Sequence, residues 1–338
     1  MLHNEARKGG AEREQGRGGT PSWRAVFAFA LVLFAASVFG ATWLVLDTVR
    51  ARSSTNIDLA HATLVDGGPT LAAGVAAPAV DGAGYATSSI DDPKLLAAIT
   101  GVLGDQAAHY GVVVRRLRDG RMASLNGDQV FYAASTFKLS VLYEAEMRRT
   151  EGTLNFNDPL TLTADDISQD LGTLRLLGLG PDNTLSIARA LRAMVTLSDN
   201  STAVALLHLL GEDNIDTTLT KLGLTNTRVN TTNLPTTAAD MERLMEAIVR
   251  GRGLGASEVA DARDLLLHQE TRSGIPAGLP ANVRVGNKTG TWPDATHDVA
   301  FVDAPNGTYV IAVLSDKGWA WDPIREVSKA VYDVLQSE

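Results

Sequence analysis

Residues 283–315 read VRVGNKTGTWPDATHDVAFVDAPNGTYVIAVLS. Three runs rich in β-branched residues, 283–291, 298–302 and 309–315, are separated by Pro-Asp and Pro-Asn-Gly, the residues that punctuate strands with turns. An amphipathic helix is expected after them over 323–335. The other end of the domain has the same character. Residues 110–117 and 122–125 flank Asp119-Gly120 and read as a hairpin. Just before it, Asp92-Pro93 is an N-cap followed by proline in the first turn, opening a helix over 94–106 with Leu95, Leu96, Ile99 and Leu103 turned inward. Between these two strand regions the period is helical, over 135–149, 186–197, 201–211 and 238–250. Strands from both chain ends with helices between them predict an α+β fold, one antiparallel sheet packed against an all-helical lobe.

The remainder of the 338-residue chain is of another kind. Residues 25–46 form twenty-two positions without a charge, AVFAFALVLFAASVFGATWLVL, long enough at about 33 Å of helix to cross a hydrocarbon core of about 30 Å. Arg7, Lys8, Arg13, Arg17 and Arg24 precede this run, and only Arg50 and Arg52 follow it closely, a bias that holds the N-terminus inside. The expected organisation is therefore a basic cytoplasmic tail (1–24), a transmembrane signal-anchor helix (25–46), a linker (47–90) and an extracytoplasmic domain (91–338). The alternative is a cleaved signal peptide and a secreted domain, against which stand the length of the run and its lack of a small-x-small cleavage site. Twenty-five of residues 51–90 are Ala, Gly, Ser, Thr or Pro, too little apolar surface to form a core.

Composition narrows the chemistry. The chain has no cysteine, which excludes disulfides, thiolate metal sites and thiol nucleophiles. A net charge of −9, and 24 basic against 35 acidic residues beyond residue 50, argues against nucleic acid as a partner. The six histidines, at 3, 61, 109, 208, 268 and 297, form no HxH or HExxH pair, so no metal or other cofactor is expected.

Three short motifs remain: Ser135-Thr136-Phe137-Lys138, Ser198-Asp199-Asn200 and Lys288-Thr289-Gly290. Singly each has a plain structural reading, as a helix cap with a solvated lysine, a helix junction, and an edge-strand lysine. Yet the chain has seven lysines, Ser135-x-x-Lys138 is its one such pair, and Lys138 lies in the apolar stretch AASTFKLSVLY. On a helix, positions i and i+3 share a face, so Lys138 is expected to reach the Ser135 hydroxyl. A lysine stripped of water loses basicity and can then act as a general base.

Together the motifs resemble the class A β-lactamase family of penicillin-recognising serine hydrolases, which carries this trio in this order. The segments SIARALRAMVTLSDNSTAVALL, TTAADMERLMEAIVRG and IPAGLPANVRVGNKTGTW followed by HDVAFV extend the likeness over 91–338. The resemblance implies that Ser135 is the acylated nucleophile and Lys138 activates it. It implies that Ser198 relays a proton to the leaving nitrogen while Lys288 tunes that hydroxyl. Asn200 would bind the substrate's side-chain amide, and the N–H groups of Ser135 and Thr291, beside Gly290, would form an oxyanion hole. Thr289 and Thr291 would hold the substrate carboxylate, with His297 as candidate in place of the arginine many relatives use.

One departure concerns turnover. The family brings a glutamate into the site just before the stretch matching Thr236-Thr237, whereas residues 225–237 here, TNTRVNTTNLPTT, contain neither Asp nor Glu. Asn230 or Asn233 could position water without accepting its proton, and the nearest acids are Asp216 and Asp240. The expected function is a β-lactam-opening serine hydrolase with impaired deacylation. The alternatives are a D-alanyl-D-alanine carboxypeptidase or other acyl transferase acting on a peptidoglycan stem peptide, and a sensor module that traps β-lactam.

Overall fold

A computed structural model describes residues 90–337. The expected tail, span and most of the linker lie outside the described residues. Among those described, no helix is long and apolar enough to cross a membrane.

Strands from both ends do share one sheet. It contains β1 (Ile90–Asp91), β2 (Tyr110–Arg116), β3 (Arg121–Leu125), β8 (Arg284–Trp292), β9 (Ala295–Ala304) and β10 (Gly307–Ser315), ordered β1-β3-β2-β10-β9-β8. Central β10 pairs antiparallel with β2, Ile311 opposite Val114, and with β9, Ile311 opposite Ala300. The sheet is mixed rather than wholly antiparallel, because β1 pairs parallel with β3. That pairing holds only two residues, Ile90 opposite Arg121 and Asp91 opposite Met122, too short a run for any alternation to show in the sequence.

One face of the sheet is covered by α1 (Pro93–Leu103) and α9 (Trp321–Gln336). The Asp92 carboxylate caps α1, accepting from the N–H groups of Lys94 at 3.0 Å and Leu95 at 3.2 Å. Leu95, Ile99 and Leu103 repeat every four residues and are buried, whereas Leu96, expected inward, lies a quarter turn off that stripe and is exposed. These residues join Val112, Val114, Ile311, Val313, Ile324 and Val331 in one core cluster.

The opposite side carries the helical lobe. Its central member is α2 (Lys138–Thr150), whose first nine residues are all buried. Around it lie α4 (Ile187–Arg192), α5 (Asn200–Leu210), α6 (Glu212–Lys221), α7 (Ala238–Arg250) and α8 (Ala256–Leu267), while the short α3 (Ala164–Ile167) lies earlier in the chain. The smaller ladders pair β4 (Phe131–Tyr132) with β7 (Pro235–Thr236) and β5 (Pro159–Thr161) with β6 (Thr184–Ser186). Strand β8 is the sheet edge nearest this lobe and packs against α8 and the turn Ala134–Phe137.

Within α2 the fold buries a carboxyl group. Glu146 is fully buried, neither of its oxygens receives a hydrogen bond, and the nearest cation, Arg149 Nη1, is 3.8 Å away. Burial raises its pKa from the ordinary 4.5 to about 8, against a lowering by Arg149. Between those values the native chain keeps a proton that the unfolded chain has released, so stability falls as pH rises through the window. Glu146→Gln is expected to be progressively more stable than the parent from pH 5 to 8. The gain should reach a few kcal/mol, because each tenfold difference in proton affinity between the folded and unfolded chain is worth about 1.4 kcal/mol. Urea unfolding at several pH values measures this, and parallel curves for the two proteins would contradict it.

Candidate active site

The three motifs, far apart in sequence, converge where β8 meets the helical lobe. Ser135 lies in a single 3₁₀ turn, Ala134–Phe137, that leads directly into α2. Ala134 enters this turn at φ +45°, a left-handed value unusual for a residue with a Cβ. The Thr136 hydroxyl donates to Ala133 O at 2.6 Å, and Ala133 N donates to Leu234 O at 2.8 Å, so the turn is tied to the end of the 225–237 loop.

Lys138 opens α2 and is fully buried. Its Nζ donates to Ser198 O at 2.5 Å, Asn200 Oδ1 at 2.7 Å and Ser198 Oγ at 3.2 Å. These contacts use its three protons when charged, and no hydrogen bond links it to Ser135 Oγ, the contact expected from helical spacing. The partners explain the difference: Ser198 and Asn200 take all three ammonium protons and leave none for the Ser135 hydroxyl. Burial lowers the Lys138 pKa well below the usual lysine range, the charge of Lys288 lowers it further, and Asp199 opposes both.

Ser198 ends the helical run that continues α4 through a π-turn, Ala193–Leu197, and has φ +58°. This left-handed residue breaks the helix, and Asp199 then caps α5, accepting from Thr202 N and Thr202 Oγ1 at 2.7 Å each and from the Thr173 hydroxyl. The local strain and the cap fix the Ser198 hydroxyl between two amines. Lys288 Nζ donates to Ser198 Oγ at 2.9 Å and to Thr289 O at 2.9 Å.

Lys288 is also fully buried, and desolvation lowers its pKa to about 7, with Asp298 partly compensating. Asp298 lies on β9 opposite Thr289 and accepts from Asn287 Nδ2 at 2.9 Å and Ile275 N at 2.8 Å; its own burial raises it to about 6. Gly290 lets β8 lie against the nucleophile's turn. A Cβ there would stand 3.0 Å from Ala133 O, 3.1 Å from Thr136 N and 3.2 Å from Ser135 N. The half-buried Thr291 follows it on the strand.

His297 is not placed for a substrate carboxylate. It is fully buried, its Nε2 bonds Tyr132 O at 2.7 Å, and its Nδ1 accepts from Ser315 N at 3.1 Å. Both ring nitrogens are used, which fixes the tautomer with the proton on Nε2, and burial lowers its pKa to about 4. The acids flanking the 225–237 loop are likewise committed. Asp216 accepts from Val229 N at 2.7 Å, and Asp240 from Asn226 N at 2.8 Å and Thr227 Oγ1 at 2.9 Å. Asn230 donates to Asp213 at 2.9 Å, and Asn233 is exposed.

Sequence reasoning misses Gln269. It follows α8, is buried, and its Nε2 donates to Thr289 Oγ1 at 2.9 Å. No motif surrounds it, and its one sequence signal is a polar residue just past a helix end.

The chain is similar to several known proteins. A family profile described as the beta-lactamase enzyme family matches residues 94–335. Beta-lactamase AST-1 of Nocardia asteroides is 29% identical over 253 residues, 68% of this chain and 77% of that protein. Among solved structures, PBP-A superposes with a TM-score of 0.69 at 26% identity, covering 74% of this chain and 98% of its own. A mutant of PBP-A, in an acyl-enzyme complex with penicillin G, gives 0.69 at 27%, covering 74% and 99%. An ancestral class A β-lactamase gives 0.64 at 25%, covering 71% and 99%.

A buried amine works as a base only after losing its proton. If Lys138 is the base that activates Ser135, acylation of Ser135 climbs with pH and levels off well below the ordinary lysine range near 10.5. Lys138→Met should slow that step by about a hundredfold or more. Stopped-flow acylation by nitrocefin between pH 5 and 10 checks both, and a rate still rising at pH 10 would contradict the assignment.

Proposed function

The chain belongs to the beta-lactamase enzyme family, and on that premise we propose that it is a serine hydrolase that opens β-lactams through an acyl-enzyme on Ser135 and releases the acyl group slowly. The observation that carries this reading is the Ser198 hydroxyl held between two buried lysines, 3.2 Å from one Nζ and 2.9 Å from the other. Neutral Lys138 takes the Ser135 proton as Oγ attacks the lactam carbonyl carbon. The carbonyl oxygen, as it becomes negative, is received by the N–H groups of Ser135 and Thr291. The C–N bond breaks and Ser198 passes a proton to the leaving nitrogen, recovering one through the lysines beside it. The Asn200 Oδ1 atom is engaged by Lys138, which orients its Nδ2 to donate to a substrate carbonyl.

The second half of the reaction needs a base for water. The 225–237 loop ends beside the Ser135 turn, contains no carboxylate, and is flanked by acids already occupied with its own backbone and hydroxyls. The same feature supports a second reading, a D-alanyl-D-alanine carboxypeptidase or related acyl transferase whose acceptor is a peptidoglycan stem peptide. The composition of residues 1–90 fits either activity, placing the domain outside the cell on a tether behind a membrane span.

Nitrocefin added to the purified protein is expected to give a stoichiometric adduct on Ser135 by intact-protein mass spectrometry, with slow turnover at most, and Ser135→Ala should give neither. Rapid turnover without an adduct would overturn slow deacylation, and an adduct in the alanine variant would overturn the nucleophile. For the anchor, N-terminal sequencing of the membrane fraction should find a chain that retains residues 25–46; one beginning after residue 46 contradicts the span.

A further inference from the structure

Gln269 joins the two sides of the site. The N–H of the next residue, Glu270, donates to Thr196 O at 2.9 Å, two residues before Ser198, while the Gln269 side chain reaches Thr289 on β8. The side chain is 2% exposed, and its Oε1 is buried with no hydrogen-bond partner among the described residues. Of the amide's two ends, the N–H₂ has a partner and the oxygen has none. Here the amide N–H₂ faces the Thr289 hydroxyl and occupies a lone pair of Oγ1. The hydroxyl hydrogen is thereby excluded from that side, and it donates to no other group among the described residues. Were the amide reversed, Thr289 would donate to Gln269 and turn only lone pairs outward, which would repel an anion.

We infer that Gln269 is a positioning residue that makes Thr289 a hydrogen-bond donor reserved for the carboxylate of the incoming substrate, and so favours substrates with a free acid next to the scissile amide. The inference rests on the acyl-enzyme reading of Ser135. Lys288 Nζ donates to Thr289 O, so the backbone of Thr289 is pinned by one partner and its hydroxyl aimed by the other.

The test compares a β-lactam with a free ring carboxylate and its methyl ester, reading the second-order rate of Ser135 acylation by mass spectrometry. Gln269→Glu keeps the shape but replaces the donor with an acceptor, drawing the Thr289 proton away from the cleft and adding negative charge. It is expected to slow acylation by the free acid about tenfold or more while leaving the ester within about twofold. Gln269→Leu, which removes the donor without reversing it, should give an intermediate acid-to-ester ratio and guards against misfolding of the charged variant. An unchanged ratio in both variants, or rates for acid and ester falling in parallel, overturns the inference and leaves Gln269 a structural contact. Failure of the parent protein to be acylated by either compound would instead remove the acyl-enzyme reading itself, and this inference with it.

Discussion

Lys138 is an amine at the centre of the helical lobe, with no exposed surface and three oxygen partners contributed by Ser198 and Asn200. Burying an ammonium costs far more than burying a hydroxyl or amide, and a protein can lower that cost by giving the group acceptors or letting it go neutral. This site does both. The carbonyl of Ser198 is available because its φ of +58° ends the helix there, and Asn200 is available because Asp199 caps the next helix. The left-handed serine and the capped junction are thus conditions for holding the lysine. A second buried lysine, Lys288, raises the cost of charging the first and so pushes it toward the neutral form that proton transfer needs.

The sheet supplies the other half of the constraint. Lys288 can approach Ser198 only because β8 lies at the sheet edge and presses on the Ala134–Phe137 turn, and that approach depends on Gly290 having no side chain. The edge strand is held in register by β9, where Asp298 and the fully bonded His297 form a polar layer behind the site. Strain at the site, in Ala134 and Ser198, is offset by the large apolar cluster on the far face of the sheet.

Much of this is legible in the sequence because it depends on local pattern. The β8 to β10 run is marked by β-branched residues and Pro-containing turns, and the observed strands at Arg284–Trp292, Ala295–Ala304 and Gly307–Ser315 contain or nearly contain the expected ones. The middle strand is longer than its pattern suggests, since Ala295 and His297, on either side of Thr296, carry little strand signal and are held by pairing with β8. The parallel pairing of Ile90–Asp91 is invisible for want of length. In the site, the motifs locate Ser135, Lys138, Ser198 and Lys288, but spacing alone suggests a Ser135–Lys138 contact where acceptors some sixty residues away, Ser198 O and Asn200 Oδ1, hold the Lys138 amine instead. His297 and Gln269 show the limit most clearly. Whether a polar side chain faces a substrate or a backbone carbonyl is settled by tertiary partners, Tyr132 and Ser315 for one and Thr289 for the other, which lie at least eighteen residues away in sequence.

The proposed acylation of Ser135 depends on Lys138 being neutral near physiological pH, a state that a ¹⁵N or ¹³C NMR titration of the lysine side chains reads without any substrate. The Lys138 signal is assigned by its loss in Lys138→Met. It is expected to titrate well below the ordinary lysine value of 10.5 and to move up when Lys288 is replaced by Met. A Lys138 signal that titrates with the exposed lysines, or one indifferent to Lys288, would show that burial and the second lysine do not set its charge.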